Sequence, residues 1–294
     1  MPKVSAGDAL RRLRQRTPLV HNITNYVAMN PMANILLAAG CSPAMVHAPE
    51  EAADFAAIAN ALTINIGTLS TPWLQAMLSA AEAARAHQRP WVLDPVAVGA
   101  TRFRQQAAVQ LLDLQPTVIR GNASEILALG ACTGQAATGE LQGHGVDAND
   151  PVSAAAAASV TLAKRYQTIV AVTGKVDWVT DGRRAAQVHN GHALMPQVTA
   201  LGCSLTGLIG GFLGAGCEPY AGTVAALAYY GVAGEQAACT AQSALQHSGQ
   251  KLGPGSFAVA FIDALANLEP EALDGAARIE PMSHPDPRQV EELS

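Results

Sequence analysis

Short apolar segments alternate with helix-start signals along the first half of the chain, and this alternation constrains the fold more than any other feature. The clearest strand and helix pairs are Pro43–His47 with Pro49–Asn60, Leu62–Gly67 with Thr71–Gln88, and Pro90–Val96 with Arg102–Leu114. Thr71 offers the second of these helices a capping hydroxyl, and Pro72 follows it in the first turn. Strands that alternate with helices in this way pair in parallel and are covered on both faces.

The pattern continues downstream with further strands and helices. Strands are predicted at Thr117–Arg120 and Thr168–Thr173, and helices at Ser124–Gly130, Pro151–Tyr166, Leu205–Ala215, Tyr220–Ser243 and Ser256–Leu268. The stretch Val176–Asn190 instead alternates polar and apolar residues about Asp181 and Gly182, which is typical of a tight hairpin. It predicts an antiparallel edge on an otherwise parallel sheet.

Composition agrees with a buried parallel sheet, because 49% of the residues are hydrophobic, 14% are charged and 4% are aromatic. We therefore expect one three-layer α/β/α domain over residues 1–275, with ligands bound at the carboxyl ends of its strands. After Gly275 the chain carries Pro281, Pro285 and Pro287 among many charges. Residues 276–294 are predicted to form a mobile tail.

Charge and cysteine usage exclude several classes of function. The formal net charge of −5, with 18 Lys and Arg residues, leaves no basic surface for nucleic acid. The most apolar stretch, Leu205–Ala215, is too short to span a bilayer, so no membrane association is expected. The five cysteines are odd in number and lack CxxC spacing, which favours a reducing, cytoplasmic location.

The segment Val198–Gly207 is a glycine-containing loop that leads directly into a helix of small residues. Backbone N–H groups at such a helix start can bind a phosphoryl group. Alternatively, the glycines of this helix only permit close packing. No GxxxxGK[ST] or GxGxxG string occurs near a strand, so the two commonest nucleotide-binding loops are disfavoured.

Polar residues also follow two neighbouring strands, at Asp94 and at Asn122 with Glu125. Two carboxylates and an amide suit a hydrated Mg²⁺ ion. Equally, Asn122 could cap a helix and Glu125 could interact with that helix's dipole. Arg120 could reach a phosphate or form a surface ion pair.

Eight motifs, in order, closely resemble the hydroxyethylthiazole kinase family of the ribokinase-like superfamily. They are PLVHNITNYV, NILLAAG, PAMVHAPEE, LTINIGTL, VLDPVAVGAT, VIRGNASEI, VAVTGKVDWVTDG and TALGCSLTGLIGGF, and the resemblance as a whole covers roughly residues 17 to 265. The resemblance implies a ribokinase-like fold and ATP-dependent, Mg²⁺-dependent phosphorylation of the hydroxyl of 4-methyl-5-(2-hydroxyethyl)thiazole in thiamine salvage. It also implies a homotrimer with its sites between subunits.

The resemblance assigns roles by position. Substrate contacts are expected at Met45, Ala200, Asn25 and Gly67, ATP contacts at Arg120, Thr173, Asn122 and Gly202, and metal contacts at Asp94 and Glu125. Cys203 stands where most ribokinase-like enzymes have an aspartate base. As a thiol at a helix N-terminus it is expected to have a depressed pKa, and either to accept the alcohol proton or to position the hydroxyl. Ala200 replaces an expected glycine.

Two rival interpretations remain at this stage. A kinase of the same fold that acts on hydroxymethylpyrimidine or pyridoxal would be expected to carry an aspartate or a different loop at Gly202 and Cys203. A non-catalytic binding protein on a kinase scaffold is suggested only by the absent aspartate. The joint presence of Asp94, Asn122 and Glu125 argues against it, because binding alone does not need a metal-bridged phosphate.

Overall fold

A computed structural model of the chain describes residues 5–134, 151–245 and 251–282, which build one mixed sheet flanked by helices. The strands are β1 Leu19–Ile23, β2 Ser42–Ala44, β3 Ala61–Asn65, β4 Trp91–Asp94, β5 Val118–Asn122, β6 Ile169–Thr173, β7 Asp177–Thr180, β8 Ala185–Val188 and β9 Ile279–Met282. Their order across the sheet is β2-β1-β3-β4-β5-β6-β7-β8-β9. The strands from β2 to β6 pair in parallel, and β7, β8 and β9 continue the sheet in antiparallel pairing.

Helices cover both faces of this sheet. They are α1 Ala6–Arg16, α2 Met29–Ala39, α3 Ala52–Ile58, α4 Thr71–Ala86, α5 Arg102–Leu112, α6 Ala123–Cys132, α7 Pro151–Tyr166, α8 Leu201–Gly214, α9 Pro219–Leu245, α10 Pro254–Asn267 and α11 Pro270–Ala276. One apolar core lies beneath α1, α2, α8, α9 and α10, and a second lies beneath α3 to α7. The predicted three-layer fold with an antiparallel edge is therefore confirmed.

Local sequence determines where several helices begin. The Ser70 hydroxyl accepts from the backbone N–H of Trp73 at the start of α4, and the Thr101 hydroxyl accepts from Arg104 N at the start of α5. Both hydroxyls satisfy N–H groups that the first turn of a helix leaves without partners.

Helix α8 lies unusually close to the sheet. A Cβ at Gly210 would lie 2.6 Å from Thr63 Cγ2 on β3, and one at Gly211 would lie 2.6 Å from Cys41 Sγ. The packing role considered for these glycines is therefore confirmed. Helix α8 packs over the central strands β3 and β4. Thr206 near its N-terminus binds Asp94 at the end of β4, so the N-terminus of α8 lies at the carboxyl ends of these strands.

Several predicted boundaries were wrong, and three of them concern α8 or the edges of the sheet. Helix α8 begins at Leu201 instead of Leu205, so its first turn includes residues that the sequence placed in a loop. Strand β2 ends at Ala44, before the predicted end at His47. The predicted tail begins too early, because Ile279–Met282 pairs with β8 despite its proline; residues 283–294 lie outside the described part of the chain.

No helix in the described ranges is both long enough and apolar enough to cross a membrane.

Candidate active site

The carboxyl ends of the parallel strands meet the N-terminus of α8 at a set of side chains joined by hydrogen bonds and, between Asp94 and Arg120, by an ion pair at 3.7 Å. We call this set the buried polar chain; it consists of Cys203, Asn25, Asn65, Asp94, Arg120 and Thr173. Strand register explains part of it, since Asn65 on β3 lies beside Asp94 on β4. Five of these six residues were predicted as site residues, and the structure brings them together.

The thiol end of the buried polar chain is organised by Asn25. Its Nδ2 donates to Asn65 Oδ1 at 2.9 Å and to Cys203 Sγ at 3.3 Å. Its Oδ1 accepts from the backbone N–H of Ala28 at 2.9 Å. Because both ends of the amide are engaged, the orientation of Asn25 beside the thiol is determined.

Asn65 is the residue that sequence analysis missed. Its Oδ1 also accepts from Gly67 N at 2.9 Å, while its Nδ2 donates to Asp94 Oδ2 at 2.7 Å. One amide thus joins the loop after β3 to the carboxylate on the next strand. The available signal was a polar residue at the end of the apolar strand β3.

Asp94 is fully buried, and its two carboxylate oxygens differ. Oδ2 accepts from Thr206 Oγ1 at 2.8 Å as well as from Asn65, and lies 3.7 Å from Arg120 Nη1. Oδ1 is buried without a hydrogen-bond partner among the described residues. Burial raises the pKa of Asp94 to about 6, against the lowering effect of Arg120, and the nearby charge of Glu125 adds to the rise.

Arg120 lies between Asp94, Thr173 and the first turn of α8. Its Nη2 donates to Thr173 Oγ1 at 2.8 Å. A Cβ at Gly202 would lie 3.0 Å from Arg120 Nη2, so glycine lets the helix start approach the guanidinium. A guanidinium beside free helix N–H groups is a favourable setting for a phosphate.

Cys203 lies in the first turn of α8, but the expectation of a depressed thiol pKa was wrong. Burial raises the pKa of Cys203, and the negative charge of Asp94 raises it further. Hydrogen bonds from Asn25 and Asn65 lower it only in part. Desolvation is the largest cause, and it outweighs the hydrogen bonds and the positive charge of Arg120 that lower the thiol pKa.

Asn122 and Glu125 form a capping box at the start of α6, as one of the two interpretations predicted. Asn122 Oδ1 accepts from Glu125 N at 2.9 Å, and Glu125 Oε2 accepts from Asn122 N at 2.8 Å. Glu125 Oε1 also accepts from Ala97 N at 3.1 Å. This structural role leaves the assigned metal and ATP roles as predictions.

Two of the remaining predicted substrate residues, Gly67 and Ala200, lie beside the thiol end, at Asn25 and at the start of α8. A Cβ at Gly67 would lie 2.8 Å from Asn25 Nδ2, so a side chain there would displace Asn25. Ala200 is the N-cap of α8 and has a φ of 65°, a left-handed conformation that explains why glycine is expected there. Met45 lies partly buried just after β2 and packs against the core beneath α8.

An aromatic group lies near this end and was not identified from the sequence. The Trp73 ring centroid lies 4.7 Å from that of Tyr26 and 4.6 Å from that of His47. Tyr26 directly follows Asn25 and is 65% exposed.

The site combines a guanidinium, a helix N-terminus, a buried carboxylate and a thiol along one edge of the sheet. Within the described residues, no group of three or more His, Cys, Asp and Glu side chains is arranged to hold a metal ion. Positioning and charge neutralisation are the main requirements of phosphoryl transfer. The arrangement can therefore support that reaction without a strong base.

Comparisons with known proteins were made over nearly the whole chain. The model of the hydroxyethylthiazole kinase family matches residues 10–271. The hydroxyethylthiazole kinase of Cereibacter sphaeroides is 58% identical over 274 residues, covering 93% of this chain and 98% of its own length. That of Rhizobium etli is 59% identical over 271 residues, covering 92% and 98%. The solved hydroxyethylthiazole kinase structure from Pyrococcus horikoshii has a TM-score of 0.81 at 39% identity, covering 94% of this chain and 98% of that one.

Proposed function

The chain belongs to the hydroxyethylthiazole kinase family, and we propose that it transfers the γ-phosphoryl group of ATP to the hydroxyl of 4-methyl-5-(2-hydroxyethyl)thiazole. The product is the phosphate monoester used in thiamine salvage. The buried polar chain is the structural observation that carries this proposal, because it joins the thiol at the predicted substrate side to Arg120 and Thr173 at the predicted nucleotide side.

On the nucleotide side, Arg120, Thr173 and the backbone around Gly202 bind the phosphates of ATP, and Asn122 contributes from the adjacent helix start. The close approach of Gly202 to Arg120 supports this assignment. Together they provide charged and neutral donors toward one point, as a transferring phosphoryl group requires.

On the acceptor side, Cys203 positions the substrate hydroxyl, and Asn25, Gly67, Met45 and Ala200 surround the thiazole. The raised pKa of Cys203 supports positioning over proton acceptance. A loose, metaphosphate-like transition state needs little help from a base, so a protonated thiol suffices.

We propose Mg²⁺ as the metal, held by Asp94 and Glu125. The unpartnered and buried Oδ1 of Asp94 fits a cation, and the negative charge of Glu125 raises the pKa of Asp94, which supports a shared role for the two carboxylates. Both Glu125 oxygens already accept backbone N–H groups, so Glu125 can offer only its remaining lone pairs. When bound, Mg²⁺ neutralises phosphate charge, with phosphate and water completing its ligands.

We propose a homotrimer in which a neighbouring subunit completes the site. Large apolar side chains are exposed at Tyr26, Val27, Leu37 and Val259. Tyr26 and Val27 directly follow Asn25 of the buried polar chain, and α2, which carries Leu37, packs on α10, which carries Val259. Sedimentation equilibrium at micromolar protein should give three times the chain mass of 30.3 kDa, whereas the mass of one chain would contradict this assembly.

We also propose a cytoplasmic location, which the five free cysteines support.

A substrate panel tests the proposed reaction. The protein is incubated with Mg²⁺, ATP and either hydroxyethylthiazole, a hydroxymethylpyrimidine or pyridoxal, and ADP is followed together with the phosphorus NMR signal of a new monoester. We expect turnover with the thiazole alcohol well above the other two. Turnover of a pyrimidine or pyridine alcohol with none of the thiazole would overturn the proposal, and ATP binding without any turnover would favour a binding protein.

A further inference from the structure

Arg104, outside the buried polar chain, binds the backbone of two loops that lead into it. It lies in the first turn of α5, and its guanidinium donates to three carbonyl oxygens. Nη1 donates to Ile66 O and, at 3.0 Å, to Val96 O, while Nη2 donates to Gly67 O at 2.7 Å. Ile66 and Gly67 follow β3, and Val96 follows β4, so one side chain joins the turns after both strands.

Backbone hydrogen bonds join the same turns on their other side. The N–H groups of Ile66 and Val96 both donate to the carbonyl oxygen of Asp94, at 3.3 and 2.9 Å. Arg104 binds the carbonyls of those same two residues. The turn before Gly67 and the turn after Asp94 are therefore held together on both sides.

This position has consequences for the reacting groups. Gly67 N donates to Asn65 Oδ1, and Asn65 in turn donates to Asp94. A displacement of the Gly67 carbonyl would move the amide that orients Asn65. Loss of the Val96 contact would release the backbone that follows Asp94.

The bonding of Arg104 is not that of an ordinary surface arginine. Within the described residues it forms no ion pair, and its guanidinium hydrogen bonds go to main-chain carbonyls alone. The planar guanidinium of arginine presents donors on separate nitrogens in a fixed geometry, whereas lysine offers its three donors from a single nitrogen on a flexible stem. Replacement of Arg104 by lysine would keep the positive charge but would not reproduce the three hydrogen bonds to the two turns.

From this geometry we propose that Arg104 is a positioning residue for phosphoryl transfer, which sets the distance between the substrate-side loop at Gly67 and the carboxylate of Asp94. The inference rests on the proposed kinase function for its kinetic consequences. Its structural consequence, the joining of the two turns, does not depend on the substrate.

The kinetic test compares Arg104→Ala and Arg104→Lys with Arg102→Ala, a matched change at an exposed arginine of the same helix turn. We expect kcat/KM for the thiazole alcohol to fall about 10²-fold in Arg104→Ala, since small misplacements of reacting groups cost about this much. Arg104→Lys should recover only part of the loss, and Arg102→Ala should match the wild type. Millimolar guanidinium chloride should raise kcat of Arg104→Ala but not of the other proteins, because the free ion can replace the hydrogen-bond donors that the variant lacks.

Hydrogen exchange gives a readout that needs no substrate. The amides of residues 66–70 and 96–98 should exchange faster in Arg104→Ala than in Arg102→Ala, and circular dichroism reports whether both proteins are folded. If Arg104→Ala does not fold, Arg104→Lys provides the same comparison.

The proposal is overturned if folded Arg104→Ala keeps kcat/KM within about twofold of Arg102→Ala. It is also overturned if Arg104→Lys equals the wild type, or if guanidinium leaves the defect unchanged. A wild type that does not phosphorylate the thiazole, together with faster exchange in the variant, would refute the proposed reaction and leave the positioning role intact.

Discussion

The two halves of the sheet use the same pairing of arginine and carboxylate in different surroundings. At the parallel half, Arg120 and Asp94 have side chains that are 11% and 0% exposed, and their closest approach is 3.7 Å. At the antiparallel edge, Arg278 and Glu235 are 54% and 27% exposed and are in direct hydrogen-bonding contact. The closer pair is the more solvated one, so distance alone does not rank the two interactions.

The difference in solvent exposure between the two ion pairs corresponds to a difference in their roles. Glu235 joins α9 to the loop after β8 by accepting from Gly191 N, and to the chain before β9 by accepting from Arg278. Water can partly replace these exposed contacts. The Asp94 carboxylate is linked through Asn65 to the substrate side and is screened from water. We therefore expect changes in the buried half to affect activity strongly, and changes at the edge to affect stability slightly.

The largest effect is expected from Asn65→Ala. Removal of this amide leaves Asn25 Nδ2 and Asp94 Oδ2 each without one partner and separates the two ends of the buried polar chain. We expect kcat/KM to fall about 10²-fold, comparable to the loss of one preorganised donor. The free energy of unfolding should fall by about 1–3 kcal/mol. Steady-state kinetics and urea unfolding measure the two effects, and unchanged kinetics in a destabilised variant would reduce Asn65 to a structural residue.

Changes at Cys203 test whether the thiol is a base. Cys203→Ala should lose about 10²-fold or less in kcat, the lower end of what a positioned acid or base contributes. Cys203→Asp should retain or raise turnover, because a carboxylate accepts a proton more readily near neutral pH, although repulsion from the phosphates opposes it. An inactive aspartate variant that still binds ATP would mean that the thiol has a specific chemical role.

Asp177 lies where β7 begins, at the border between the parallel and antiparallel parts of the sheet. We expect this residue to make the stability of the protein depend on pH. Burial raises its pKa from 3.8 to about 7, although Gly174 N donates to it and Arg120 is nearby. Because the folded pKa is the higher one, the stabilising contribution is complete below pH 3.8 and is lost as pH rises through about 7. Asp177→Asn, which is neutral throughout, should therefore gain Tm relative to the wild type between pH 5 and pH 8. Parallel Tm profiles would contradict this pKa.

The smallest effect is expected at the antiparallel edge. Glu235→Gln keeps the shape of the side chain and removes its charge, so the free energy of unfolding should fall by about 1 kcal/mol or less. The kcat/KM should not change, and the loss of stability should shrink at high salt. A tenfold loss of kcat/KM would show that the edge influences the site and would remove the contrast between the two halves.

Much of this organisation is predictable from sequence because it depends on local signals. Strand and helix alternation places Asp94, Arg120 and Thr173 at strand ends, and parallel pairing brings such ends together. The role of Asn65 depends on strand register, which local patterns do not specify. The raised pKa of Cys203 depends on burial beneath other elements, whereas the sequence indicates only the nearby helix dipole.

The edge was harder to predict for a similar reason. Pro281 and its charged neighbours are typical of a mobile tail, yet β9 pairs with β8, and Asn190 Oδ1 binds the chain just before β9 by accepting from Arg278 N at 2.7 Å. This contact joins residues 88 positions apart in the sequence. A local sequence pattern cannot predict a contact over this separation.

The most direct test of the account is a double-mutant cycle between the thiol at one end of the buried polar chain and the carboxylate in its middle. Cys203→Ala and Asp94→Asn are made singly and together, and kcat/KM is measured with the thiazole alcohol. If the chain acts as one unit, the double variant should lose less activity than the product of the single losses. The matched cycle of Asp94→Asn with Glu235→Gln should give losses that multiply. Losses that multiply in the first cycle as well would show that the thiol and the carboxylate act independently, which contradicts the account.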